Sequence, residues 1–171
     1  TLFRSNLHKF FQTREVENIL LVLFTPDKGL CGGLNTNLYK KAIQTIEKLE
    51  KENPKAKIHY VASGKKGADF LHRTGKDVEF VYPAYTNNPT FTDIFPVSKE
   101  ALKGFEEGKY DKVVVVFSDF VSTLVQKPVA KTLLPFSLDV FEEMLEELGS
   151  KFSEVVKPTE KEILSILKYY T

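Results

Sequence analysis

The chain has 171 residues, 42% hydrophobic and 27% charged, the balance of a globular domain with a substantial core rather than of a disordered chain. Its 24 Lys and Arg stand against 23 Asp and Glu, and a net charge of +1 gives no footprint for general nucleic-acid or anionic-membrane binding. Cys31 is the single cysteine, which excludes an internal disulfide and a thiolate metal site.

The chain opens with Phe3, Leu7, Phe10 and Phe11, an apolar stripe at helical spacing. TLFRSNLHKFF lacks the uninterrupted apolar core of a signal peptide. VENILLVLF (16–24) is a continuous apolar run suited to a strand covered on both faces. After a glycine-rich stretch, LNTNLYKKAIQTIEKLEKE places Leu34, Leu38, Ala42, Ile46 and Leu49 on one helical face, and Asn53-Pro54 ends it. KIHYVAS (57–63) reads as a second strand, KKGADFLHRTG as a short helix closed by Gly75, and VEFVYP (78–83) as a third strand. YTNNPTFTDIFPV reads as a loop, followed by a helix over SKEALKGFEEGK with Ser98 placed to cap it.

DKVVVVFSDF (111–120) is expected to be the fourth and most buried strand. VQKPVAKTLLPF carries Pro128 and reads as an edge strand. FEEMLEELG is a short acidic helix or excursion, SEVVKP an extended piece, and TEKEILSILKYYT a helix with a capping box from Thr159 and Glu162. Strands alternating with helices predict an α/β fold: a Rossmann-like, mostly parallel sheet with flanking helices and right-handed crossovers.

The stretch TPDKGLCGGLNTNLYK (25–40) follows a strand and opens a helix, the position of a phosphate-binding loop. Its glycines, Gly29, Gly32 and Gly33, contain no Gly-x-Gly pair, and the second strand ends in ASGKKG without the acidic residue a dinucleotide fold needs. A P-loop counted from Gly29 requires Gly-Lys where Leu34 and Asn35 stand. Both nucleotide motifs fail, and the loop reads as a turn whose glycines accept positive φ and bring strand and helix close.

Other constellations are weaker. His8, His59 and His72 lack metal-ligand spacing. Lys65 and Lys66 read as a solvated helix start, and Glu142, Glu143, Glu146 and Glu147 as a solvated face. Ser118, Asp119 and Ser122 sit past a buried strand, where α/β folds keep reactive groups, but no nucleophile elbow accompanies them. No cofactor is expected.

TPDKGLCGGLNTNLYK closely resembles the Ser-Asp-(Arg/Lys)-Gly-Leu-Cys-Gly-Gly-Leu-Asn motif of the F-type ATP synthase gamma subunit. YDKVVVVFSDFVSTLVQKPVAKTLLP is similar to that family's strand, hydrophobic loop and Leu-Leu-Pro segment. EVVKPTEKEILSILKYY is similar to its Tyr-Glu-Pro-x-Pro and C-terminal helix. Pro26, Asp119 and Val156-Lys157-Pro158 depart from the family pattern.

The resemblance implies a Rossmann-like domain over 15–158 that binds no nucleotide, with stubs of two coiled-coil axle helices at 1–14 and 159–171. It implies a non-catalytic rotor subunit that carries torque from proton flow between a membrane c-ring and the alpha/beta catalytic hexamer, held against an epsilon subunit. Such a protein sits peripherally on the cytoplasmic face of a bacterial inner membrane, or on the matrix or stromal side in organelles. Membrane association comes only through the complex. By the same resemblance, Asp27, Lys28, Gly29, Leu30, Cys31, Gly32, Gly33, Leu34 and Asn35 lie beside the axle, facing the catalytic subunits. Lys157, Pro158, Thr159 and Glu160 lie toward the ring. The competing reading is a small Rossmann-type nucleotide-binding enzyme acting near Ser118 and Asp119.

Overall fold

NILLVLF forms the central strand β1 (Asn18–Phe24), in which Ile19 to Leu23 are all buried. A run with no polar break suits a strand paired on both edges and covered on both faces. In the computed structural model the described residues are 9–27, 33–84, 91–121 and 125–137, and those up to Phe136 belong to one compact unit.

β2 (Lys57–Ser63) and β4 (Lys112–Phe120) flank β1 in parallel, with Leu21 opposite Tyr60 on one side and Val114 on the other. β3 (Val78–Tyr82) lies parallel outside β2, and β5 (Gln126–Leu134) runs antiparallel outside β4. The order β3-β2-β1-β4-β5 is the expected mostly parallel, Rossmann-like sheet. Pro128 sits in the outer strand, opposite Ser118, the position in a sheet where proline is tolerated.

Among the described residues, three helices cover the faces. α1 (Leu34–Glu52) buries Leu38, Ala42, Ile46 and Leu49 of the stripe read from its sequence against Ile19, Leu21, Leu23 and Val116, while Leu34 at its start is half-buried. Each large side chain removed from water there contributes ~1.5–3 kcal/mol. Asn53 ends the helix by donating both its backbone N–H and its side-chain amide to Leu49 O, at 2.9 and 3.2 Å. α2 (Lys65–Arg73) joins the same layer through Ala68 and Leu71, and is followed by Gly75 at φ +75°. Tyr39 of α1 stacks on Phe70 of α2, with centroids 4.1 Å apart and planes 6° from parallel, and its hydroxyl donates to Lys66 O at 3.2 Å. On the opposite face α3 (Phe91–Glu106) packs Val97, Ala101 and Phe105 over Leu20, Val22 and Val113.

Two sequence expectations are corrected. The helix assigned from Ser98 begins at Phe91, so Ser98 is an interior residue and Pro96 lies inside the helix. Pro96 is exposed and its fixed φ suits a helix, so near the start it removes one backbone donor without stopping the turn. The most buried strand is β1 rather than β4. β4 borders the partly polar edge strand β5, which leaves Val115 and Phe117 half-buried.

A polar lattice ties the N-terminal ends of the strands. Asp111 accepts from the backbone N–H of Glu17 and Asn18 at 3.0 and 2.9 Å and pairs with Arg14 Nε at 2.8 Å. The Arg14 guanidinium also donates to Phe105 O and Tyr110 O and lies 4.5 Å over the Phe105 ring. His59 bridges Glu79 of β3 and Asn18 Oδ1 of β1. The helical turn at 9–11 packs Phe10 against Phe105 and Phe136, and Phe11 against Phe136, as its apolar stripe requires. FEEMLEELG, SEVVKP and TEKEILSILKYYT lie outside the described residues.

Candidate functional site

The loop between β1 and α1 is the segment singled out by the sequence, and its two ends are described. Lys28, Gly29, Leu30, Cys31 and Gly32 lie outside the described residues, as do Lys157, Pro158, Thr159 and Glu160.

At the entry, β1 gives way to Thr25-Pro26-Asp27. Thr25 is 7% exposed; its N–H donates to Ser63 O at 2.8 Å and its hydroxyl to the same oxygen at 3.2 Å. That hydroxyl also accepts the Gly67 N–H at 2.8 Å. Asp27 Oδ1 accepts the Lys65 N–H at 2.7 Å. The first N–H groups of a helix have no intrahelical acceptor, and they carry the positive end of its dipole. α2 has no side-chain cap of its own and no acidic residue in its first turn, so Thr25 and Asp27, from the end of another strand, supply both needs. Lys65 is exposed and Lys66 half-buried, while the Lys65 backbone N–H is capped by Asp27.

At the exit, Gly33 stands at the N-cap of α1 with φ −74° and ψ −5°, a conformation open to any residue. A Cβ there would meet only Asn37 Nδ2, at 3.8 Å. The expectation that the loop's glycines supply positive φ therefore fails at Gly33. Leu34 and Asn35 follow, both half-buried, and Asn35 Oδ1 is buried without a hydrogen-bond partner.

The glycine that the joint requires is Gly64, outside the glycine-rich motif. Its φ is +100°, and a Cβ would lie 2.2 Å from Thr25 O. A second close approach, at Gly67, leaves 2.8 Å to the Thr25 hydroxyl. Bare backbone at both positions lets the N-terminus of α2 sit against the end of β1. The readable signal was a helix with no local cap beginning just after a glycine.

Among the described residues, those of the enzymatic reading do not assemble into a reactive group, and Ser122 lies outside them. Ser118 Oγ is buried and makes no hydrogen bond, so no base stands ready to activate it. Asp119 is exposed and faces Lys127 across the β4–β5 ladder. His59 is engaged at the opposite end of the sheet, His72 is exposed, and His8 lies outside the described residues. A groove of about 240 Å³ between α1 and the β4–β5 pair is rimmed by Lys41, Lys48, Glu52, Lys112 and Thr132, which include no nucleophile–base pair. Among the described residues, no group of three or more His, Cys, Asp or Glu is placed to hold a metal ion, and no helix is long and apolar enough to cross a membrane.

Comparison with known proteins meets this geometry from outside. A family model described as ATP synthase matches residues 2–170. The ATP synthase gamma chain of Legionella pneumophila (strain Corby) is 34% identical over 164 residues, covering 95% of this chain and 56% of the relative. That of Roseiflexus sp. (strain RS-1) is 39% identical over 120 residues, covering 70% and 41%. The chain thus spans about half the length of the curated relatives it matches. Among solved structures, the central stalk and c-ring of Tetrahymena thermophila mitochondrial ATP synthase contains a chain with the same fold. It aligns with a TM-score of 0.57 at 22% identity, over 97% of this chain and 67% of that one. A chain of the Euglena gracilis mitochondrial ATP synthase rotor aligns with a TM-score of 0.52 at 19% identity, over 85% and 56%.

Proposed function

Because this chain belongs to the ATP synthase gamma-chain family, we propose that it serves as the globular part of a central-stalk rotor that carries torque between a membrane c-ring and the alpha/beta catalytic hexamer. The observation that carries the reading is the family match across residues 2–170, which takes in every described element. The strand-and-helix unit is the rigid body, and residues 1–14 and 159–171 belong to the two axle helices. The chain itself is non-catalytic, and its neighbours in the complex are an epsilon subunit, the c-ring and the hexamer. Residues Asp27 to Asn35 face the catalytic subunits, and Lys157 to Glu160 face the ring. The assembly lies on the cytoplasmic face of a bacterial inner membrane or its organellar equivalent, attached through the complex.

Physical support comes from how the sheet is locked. A body that passes torque must not yield between strands. Here a 2.8 Å ion pair and two backbone hydrogen bonds at Asp111 hold one end of β1, while Thr25 and Asp27 hold the other. The test is co-purification of the chain with epsilon and with c-ring, alongside calorimetry with ATP, ADP and NAD at millimolar concentration. Retention of epsilon with no saturable nucleotide heat is the expected result. One-to-one nucleotide binding without epsilon retention overturns the reading in favour of a Rossmann-type enzyme.

A further inference from the structure

We propose that the groove between α1 and the β4–β5 pair is a docking slot for an extended, acidic segment of a partner protein. The slot has a volume of about 240 Å³ and is walled on one side by a single face of α1, from Lys41 to Glu52. That stretch of helix spans roughly 16 Å, so the slot is long for its volume. A second helix, ~10–12 Å across with its side chains, is too wide for it, whereas one extended chain fits. The slot lies in the layer of α1, and the helical turn at 9–11 packs against Phe105 and Phe136 on the opposite face of the sheet. A segment docked there does not compete with that turn.

The lining states what the segment must carry. Leu49, Val114 and Ala130 form an apolar floor, and Lys41, Lys48 and Lys112 stand around it. Glu52 is the one acidic residue of the lining, and it lies 3.6 Å from Lys48. Lys41 and Lys112 have no such neighbour. Both are half-buried, and neither side chain makes an ion pair or hydrogen bond with a described residue. A half-buried ammonium gives up part of its hydration, and nothing in the described fold offsets that loss. A carboxylate in the slot does so. Lys41 comes from the helix and Lys112 from the sheet, so an acid between them is held from both walls. Side chains alternate along an extended chain, and every second one can turn to the floor while those between meet the lysines. The segment therefore alternates acidic and small apolar residues. This role goes beyond the rotor reading and does not rest on it.

The probe is a fluorescein-labelled peptide, Glu-Val-Glu-Val-Glu-Val-amide, titrated with the full-length chain at low salt and followed by fluorescence anisotropy. Saturable one-to-one binding is expected. Lys41→Gln and Lys112→Gln should each weaken it roughly three- to tenfold, the range between an exposed and a partly buried charge pair. Glu52→Gln, which removes the acid of the lining, should tighten it roughly two- to fivefold. Lys99→Gln, at an exposed position on α3, is the control and should leave the affinity as it is. Unfolding midpoints are measured in parallel. If a glutamine variant unfolds, Lys41→Met or Lys112→Met keeps the buried stem without the charge and is read in its place. The slot is overturned by a peptide that does not saturate, by unchanged affinity in folded Lys41 and Lys112 variants, or by Lys99→Gln weakening binding as much as they do. Glu52→Gln binding no tighter than the parent overturns the charge match. Displacement of the peptide by citrate as effectively as by unlabelled peptide overturns the extended occupant and makes the groove a small-anion site.

Discussion

The Thr25 hydroxyl donates to Ser63 O and accepts from Gly67 N, and that double use leaves no space for a methyl group on the chain facing it. Gly64→Ala would force a β-carbon to φ +100° and into Thr25 O, adding backbone strain of ~1–3 kcal/mol to overpacking of similar size. A loss of at least ~3 kcal/mol in urea unfolding is expected for it. Gly33→Ala, at an ordinary φ with open space, is expected to lose no more than ~1 kcal/mol, a cap substitution. Equal losses at the two sites would put the joint in the wrong place.

A second residue-scale outcome concerns Glu100, whose carboxyl is held below its ordinary range by the hydrogen bond from the Lys109 ammonium at 2.8 Å. A depressed folded value adds stability above the unfolded value, and that stability is lost as pH falls through the folded one. Glu100→Gln should therefore be less stable than the parent at pH 7, by less than ~1 kcal/mol because the pair is partly exposed. The gap should close in acid. A gap that stays constant down to pH 2 would show that the carboxylate charge contributes nothing.

Among the elements, those with strong periodicity were legible before any coordinates. The α1 stripe, the unbroken apolar run of β1 and the proline of β5 each carry their own physical reason, and each element stands where that reason puts it. The start of α3 was hidden because Pro96 looks like a boundary. Val97, Ala101 and Phe105 are spaced by four, and that spacing fixed the helix phase more securely than the proline broke it. Since Pro96 is exposed and supplies no N–H, Pro96→Ala should stabilise the protein by about 1–3 kcal/mol and raise its helical circular dichroism. A variant that melts at or below the parent temperature would mean the proline's rigidity outweighs the missing bond.

At the scale of the whole molecule, the candidate site was half legible. The loop was marked by its motif, but its seat was not. Asp27 and Lys65 are 38 residues apart, and no local spacing announces that one caps the other's helix. The same kind of distance governs how the sheet comes into being. β1 occupies the centre, yet its second neighbour β4 begins only at Lys112, and Asp111 is 94 residues from Glu17, whose amide it receives. On a ribosome, β1, β2 and β3 emerge first, and the free edge of the most apolar strand waits on the order of ten seconds for its partner. During that interval the nascent chain presents ILLVL as an unpaired strand edge, a template for joining other copies. A chain stalled before residue 112 is thus a client for a chaperone, and the order of strands that makes the finished body stiff also makes its birth hazardous.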